Sequence, residues 1–318
     1  MIAEIRFNFL KINRNINSKK IKCFHNFINL AEYYKTFQIK IPMKKNHLLI
    51  NTLVLLLSCY FQLSAQTSSM LLVEGGKVKM TVKEPVKPNT PEKKTEYEVT
   101  VSSFEMSKFE VSVKEWNEYI NANGLKMPVR PTWGWNDDKP ITNVTWIEAI
   151  QYCNWLSNNY NLKPVYKKQN GQYVFDATAN GYRLPTDAEW VYAAKGGNKS
   201  KNYIYAGSDD LETIAWYSKN SKKEPKTYGT KLPNEIGLYD MSGNVWEWCW
   251  DNYDSFYYKI DSKINPKGPE RGEKKCIRGG SWDSSNLNYL KPDHQLNWIA
   301  INSNAFIGFR VVRSVVTK

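Results

Sequence analysis

At 318 residues, 42% of them hydrophobic and 14% aromatic, the chain is long enough to bury a sizeable core. Its formal net charge of +13 is concentrated at the front: residues 1–65 hold 10 of the 44 Lys+Arg and 2 of the 31 Asp+Glu, and the remainder carries only +5. That balance is too mild and too scattered for a nucleic-acid partner, and the single histidine beyond residue 65, His294, excludes a His-rich metal centre. No HExxH and no Gly-x-Ser-x-Gly elbow occurs, so neither a zincin nor a Ser-His-Asp hydrolase is expected.

Residues 1–42 are rich in Asn, Lys and Ile without a sustained period and read as an over-extended start, with a real cytoplasmic extension as the alternative. Residues 43–65 read as a signal peptide: Met43-Lys44-Lys45, an apolar run from Leu48 to Leu57, then Leu63-Ser64-Ala65 as a cleavage point before Gln66. The run is shorter than the roughly 20 residues that a membrane span needs. The expected product is an exported single domain, 66–318, placed in the periplasm, on the outer-membrane surface or outside the cell. A second reading takes Leu56-Leu57-Ser58-Cys59 as similar to a bacterial lipoprotein box, which Leu57 fits poorly; membrane attachment follows only if Cys59 is lipidated. Cys153, Cys249 and Cys276 remain, an odd count that leaves at least one thiol unpaired, with a Cys249–Cys276 disulfide left open.

From residue 66 onward, Leu71 to Met80 predicts a hairpin around Gly75-Gly76, and the Pro- and Lys-rich stretch 82–94 an exposed loop. Glu96 to Phe104 alternates as a strand, and 113–121 carries Trp116, Tyr119 and Ile120 at helical spacing. Thr145 reads as an N-cap before a helix whose buried stripe is Ala149, Tyr152, Cys153 and Leu156, which makes Cys153 a small core residue. Asn170-Gly171 favours a tight primed turn. Thr186 with Glu189 is a capping box opening a short helix through Ala194, and 196–234 has few regular signals. In 237–248, Gly237 and Ser242-Gly243-Asn244 break any helix and predict a compact loop. Trp246, Trp248 and Trp250 recur there at period two, beside the carboxylates of Asp240 and Glu247. Such a loop can nail down a core or cradle a cation. Ile277–Asp283 and Ile307–Val312 predict strands whose glycines allow close packing. All twelve tryptophans fall between Trp116 and Trp298, which implies one core that cross-links long irregular segments.

Six motifs then carry a resemblance: Val73-Glu74-Gly75-Gly76, Lys108-Phe109-Glu110-Val111-Ser112, the run from Tyr182 to Trp190, Gly243-Asn244-Val245-Trp246-Glu247-Trp248, Arg278-Gly279-Gly280-Ser281-Trp282 and Gly308-Phe309-Arg310. Their order resembles the formylglycine-generating enzyme (sulfatase-modifying factor) family over residues 70 to 314. The resemblance implies an α+β, C-type-lectin-like fold with a small twisted, mostly antiparallel sheet, two main helices and much irregular ordered loop. It also implies structural calcium, held here by the side chains of Asp240 and Glu247 and the carbonyls of Gly243 and Val245, a set of hard oxygen donors. Active members use copper bound by two cysteines to convert a sulfatase cysteine to formylglycine. The matching positions are Ser284 and Tyr289, which cannot replace a pair of thiolates, so copper is not expected and no catalytic residue is assigned. Ser281, Trp282, Ser284 and Tyr289 fall where the family has its peptide cleft; Asp283, Asp293 and His294 read as a solvated loop. The expectation is an exported, non-catalytic scaffold or ligand-binding component of the cell envelope, with a peptide, a glycan or an envelope protein as partner. The alternative is an oxidoreductase of the same family with divergent cysteine chemistry.

Overall fold

The computed structural model describes residues 70–83, 94–260 and 263–315. The readings on 1–42, 43–65 and Cys59 fall outside these residues. Three helices open with the same device, a hydroxyl N-cap answered by a glutamate three residues later. Ser112 and Glu115 start α1 (Val113–Asn123), Thr145 and Glu148 start α2 (Trp146–Asn159), and Thr186 and Glu189 start α3 (Asp187–Ala194). Each hydroxyl cap contributes about 1 kcal/mol by satisfying an amide that has no partner within the helix. Gly124, at φ 61°, closes α1 in the left-handed conformation. Two single-turn helices follow, α4 (Leu211–Ile214) and α5 (Tyr257–Ile260).

Strands β1 (Met70–Val73), β4 (Phe104–Ser107), β12 (Val312–Ser314) and β7 (Tyr182–Arg183) pair in that order, all antiparallel. A second four-stranded sheet has the order β10 (Leu296–Ile299), β9 (Lys274–Arg278), β8 (Trp246–Asn252), β11 (Ile307–Gly308), with only the β8–β11 contact parallel. Two ribbons complete the set, β2 (Gly76–Lys83) with β3 (Lys94–Val101) and β5 (Tyr166–Gln169) with β6 (Gln172–Phe175). The α+β, mostly antiparallel, loop-rich expectation holds, but two four-stranded sheets stand in place of one.

Three local expectations are corrected. The Gly75-Gly76 hairpin does not form: β1 pairs with β4, and β2 pairs with β3 across the Pro-rich connection, so Val82, Lys83 and Lys94 are strand residues. A side chain at Gly75 would collide with the Val101 carbonyl 2.7 Å away, so close approach rather than turn geometry explains that glycine. The strand expected over Glu96–Phe104 breaks at Ser102-Ser103, because its two halves serve different partners. The compact loop ends at Val245, and Trp246 onward is β8. At Asn170-Gly171 the primed turn is present, with φ values of 48° and 79°.

Strand β8 divides the interior. Trp246 and Trp248 join a core with Trp116, Tyr152 and Phe309, while Cys249 joins another with Met106, Trp190 and Cys276. This is the period-two pattern at work, since alternate residues point to opposite faces of the strand. Beside the tryptophans, the buried Lys275 holds its Nζ 3.9 Å from the Trp146 ring centroid and 4.9 Å from that of Trp250, and donates to the Trp250 carbonyl at 3.1 Å. Burial lowers its pKa from 10.5 to about 8, against the opposing pull of the Asp251 carboxylate.

Between these two values the unfolded chain binds more protons than the folded one at this side chain, so its contribution to stability rises with pH. Denaturant unfolding of the native protein and Lys275→Met at pH 7.5 and 9.5 is expected to show the native protein gaining on the variant at the higher pH; an unchanged difference would show an unperturbed lysine. At Gly243, φ is 89° and an added Cβ would overlap the backbone carbonyl of Trp216, its neighbour in a parallel bridge. Gly243→Ala is expected to cost at least about 2 kcal/mol in the same assay.

Candidate functional site

The lone charges inside apolar runs resolve into buried pairs. Glu247, between Trp246 and Trp248, meets Arg310 from the segment after β11, and both side chains are fully buried. Arg310 Nε donates to Glu247 Oε2 and Nη2 to Oε1, each at 2.7 Å, and the Trp190 indole adds a 2.8 Å bond to Oε2. The remaining guanidinium N–H groups reach the carbonyls of Ser107, Lys108 and Tyr239 at 3.2, 3.1 and 2.9 Å. All five donors of the guanidinium are thereby used.

Next to this pair lie two more buried carboxylates, Asp240 and Glu110. Asp240, itself left-handed at φ 57°, accepts the Gly229 N–H on Oδ2 at 2.7 Å, while its Oδ1 has no hydrogen-bond partner. Glu110 accepts the Asn244 side-chain amide on Oε1 at 3.1 Å, and its Oε2 is likewise unpartnered. Burial raises the Asp240 pKa to about 6, and Glu110 stands well above the carboxylate range through burial first and the Asp240 charge second.

The calcium expectation can be tested on these atoms. Asp240 fits, because a buried oxygen lacks a partner. Glu247 does not present a free carboxylate: its oxygens are taken by Arg310 and Trp190, and a metal cation there would sit against a guanidinium. Among the described residues no three His, Cys, Asp or Glu side chains group as a metal cage.

The second set of expected residues is brought together differently from an open cleft. Ser281 donates its N–H to Ser284 Oγ at 2.9 Å, and both serines are buried. Trp282, 8% exposed, lies edge-on to Trp133 with centroids 5.1 Å apart, and its indole donates to the Ala305 carbonyl at 3.3 Å. Tyr289 is half-buried against Trp246 and His294, at centroid distances of 5.9 and 4.8 Å. Trp133, beside Trp282, and Tyr289 with His294, beside Trp246, are partly exposed, whereas Ser281, Trp282 and Ser284 are buried. His294 departs from the solvated-loop reading, since it packs on two aromatic rings. Asp293 is exposed and pairs with Lys195, and Asp283 is exposed.

Cys153, Cys249 and Cys276 are free and buried, so the Cys249–Cys276 pairing is not formed. Burial raises all three thiol pKa values, and for Cys249 and Cys276 the Asp187 charge adds to it. A thiol held protonated is a poor nucleophile and a poor metal ligand. Cys153 is the core residue its helical position predicts.

Sequence reasoning missed Glu110, Arg310 and Lys275 as members of the buried networks. The available signal was a lone charge in an apolar stretch, Phe109-Glu110-Val111 and Phe309-Arg310-Val311, since buried charges are found paired.

The sequence matches the sulfatase-modifying factor enzyme 1-like domain over residues 60–315. It is 34% identical over 282 residues to the chaperone protein LppX of Paenibacillus barcinonensis, covering 78% of this chain and 90% of that protein. It is 31% identical over 158 residues to the formylglycine-generating enzyme of Streptomyces coelicolor, covering 45% of this chain and 42% of the enzyme. Among solved structures, Treponema denticola variable protein 1 superposes with a TM-score of 0.64 at 28% identity, covering 77% of this chain and 95% of that one. Among the described residues no helix is long and apolar enough to cross a membrane. On this match and this relative, the chain belongs to the sulfatase-modifying factor enzyme 1-like family.

Proposed function

We propose that this chain is an exported, non-catalytic binding or scaffold module of the cell envelope, and that it presents the aromatic surface around Trp133, Tyr289 and His294 to a polypeptide ligand. One observation supports the reading: the three thiols of the described residues are buried with raised pKa values, while by the resemblance Ser284 and Tyr289 stand at the positions of the enzymes' copper-binding cysteines. Serine and tyrosine do not supply the soft thiolate pair that such copper chemistry needs. A half-buried aromatic surface on a rigid floor suits recognition, since aromatic side chains contribute large contact area at low entropic cost. The relative matched along 90% of its own length is named a chaperone, which favours polypeptide over glycan. The signal-like segment 43–65 supports export, and the envelope assignment rests on it. The formylglycine-generating relative keeps a divergent cysteine oxidoreductase as the second reading.

Binding to unfolded-polypeptide, peptide and glycan panels separates the ligand classes. Trp133→Ala and Tyr289→Ala are expected to weaken polypeptide binding at least about tenfold with little change in melting temperature. Conversion of a Cys-x-Pro-x-Arg peptide to its aldehyde by the purified protein with copper and oxygen would instead establish the oxidoreductase.

A further inference from the structure

A cavity of about 260 Å3 lies where β12 ends, lined by Glu105, Leu162, Asn180, Arg313, Ser314 and Val315, and it shares no residue with the aromatic surface. Its volume is just under the range of about 300–1,000 Å3 usual for drug-sized ligands, so it suits a small solute. The sheet sets its charges. Arg313 lies on β12, between its cross-strand neighbours Glu105 on β4 and Tyr182 on β7. Its Nε donates to Glu105 Oε2 at 2.7 Å, its Nη2 meets the same oxygen, and the Tyr182 ring centroid is 5.8 Å from the guanidinium carbon. Each member of this pair keeps capacity in reserve. Among the described residues neither Arg313 Nη1 nor Glu105 Oε1 has a hydrogen-bond partner, and the two side chains are 30% and 29% exposed. The other polar groups are neutral or already engaged. Ser314 Oγ accepts from Arg183 at 3.2 and 3.1 Å, and Asn180 Oδ1 accepts the Lys163 N–H at 2.9 Å, which leaves the Asn180 amide N–H groups to donate. The Lys163 ammonium is held by Thr178 and Asp176, at 2.8 and 3.0 Å. Leu162 and Val315 supply the apolar wall.

The lining thus carries one positive and one negative charge side by side, with no excess of either, and this selects the class of ligand. A simple anion drawn to Arg313 would also meet Glu105, and a simple cation drawn to Glu105 would also meet Arg313. A molecule with an ammonium and a carboxylate on one carbon avoids both conflicts, because each of its charges faces the opposite one and the four charges alternate. We propose that this cavity binds a free α-amino acid with an aliphatic side chain. Its carboxylate takes the reserve N–H groups of Arg313 and Asn180, its ammonium takes Glu105, and its side chain lies against Leu162 and Val315.

Calorimetric titration of the purified full chain tests this with three probes: L-leucine, L-leucinamide, which lacks the carboxylate, and 4-methylpentanoate, which lacks the ammonium. L-Leucine is expected to bind at least about tenfold more tightly than either analogue, since each analogue gives up a charge-assisted hydrogen bond. Glu105→Gln leaves an excess positive charge and should turn the preference from L-leucine to 4-methylpentanoate, whereas Arg313→Gln should turn it to L-leucinamide. Val315→Asp, at a position 40% exposed, should weaken L-leucine at least about tenfold with an unchanged melting temperature. Absence of L-leucine binding to the native protein overturns the proposal. So does equal binding of the three probes, or an order of preference unchanged in both Glu105→Gln and Arg313→Gln. If those two variants do not fold, the analogues and Val315→Asp decide. Trp133→Ala and Tyr289→Ala should leave L-leucine binding as it is, so the polypeptide-binding reading stands or falls separately.

Discussion

The Glu247–Arg310 ion pair is the constraint on which the rest of the structure depends. Burying the carboxylate at the centre of Trp246-Glu247-Trp248 is costly, and the Arg310 guanidinium with the Trp190 indole offsets that cost. The geometry that satisfies Glu247 also ties three further segments to β8 and to the segment of Arg310. Arg310 reaches the end of β4 through Ser107 and Lys108 and the 237–245 loop through Tyr239, and Trp190 ties in α3. A chain with this much irregular backbone needs such cross-links, because loops lack the ladder bonds that hold sheets together.

Helix α3 repeats the logic on a short scale. Its first four residues send three side chains to three different places: Asp187 to Arg278 on β9, at 2.6 and 2.7 Å; Glu189 to Arg183 on β7, at 2.6 and 2.7 Å; and Trp190 to Glu247 on β8. The Asp187 carboxylate is further met by Tyr258 at 2.8 Å and Gln295 at 3.0 Å. An eight-residue helix would be marginal alone, and here its position is set by buried ion pairs to both four-stranded sheets. The function proposed above draws on the same rigidity. The Ser281-Trp282-Ser284 floor follows β9 closely, and its serines satisfy each other. The backbone N–H of Trp282 donates to the Asn244 carbonyl at 2.7 Å, and that of Gly243 to the Gly279 carbonyl at 2.8 Å. Floor and loop are therefore one unit, and the aromatic surface stands on the loop that Glu247 and Arg310 hold.

Much of this was legible in the sequence, and the part that was not has a physical reason. Helix starts at Thr145 and Thr186 and the primed turn at Asn170-Gly171 are local chemistry, readable within about four residues. The period-two tryptophans announced a strand face, although the glycines before them pulled the boundary of the loop too far. Strand pairing was not readable at Gly75-Gly76, because a turn signal and a close-approach glycine look alike until the partner is known. Nor could the ion pairs be matched: Glu247 and Arg310 are separated by 63 positions and Asp187 and Arg278 by 91, so one sequence shows lone charges in apolar runs and not their partners. The proposed surface was legible as residues but not as exposure, since one sequence does not show that Ser281 and Ser284 are buried while Tyr289 and His294 are half-buried.

The central claim, that one buried ion pair holds the irregular half of the fold in register, is tested most directly by a double-mutant cycle. Glu247→Leu, Arg310→Met and the double variant would be compared by denaturant unfolding. Each single variant is expected to lose about 3–5 kcal/mol, because it strands a buried charge, and the double variant to lose clearly less than the sum. Losses that add to within about 0.5 kcal/mol would contradict the claim, since they would show that the two charges do not depend on each other.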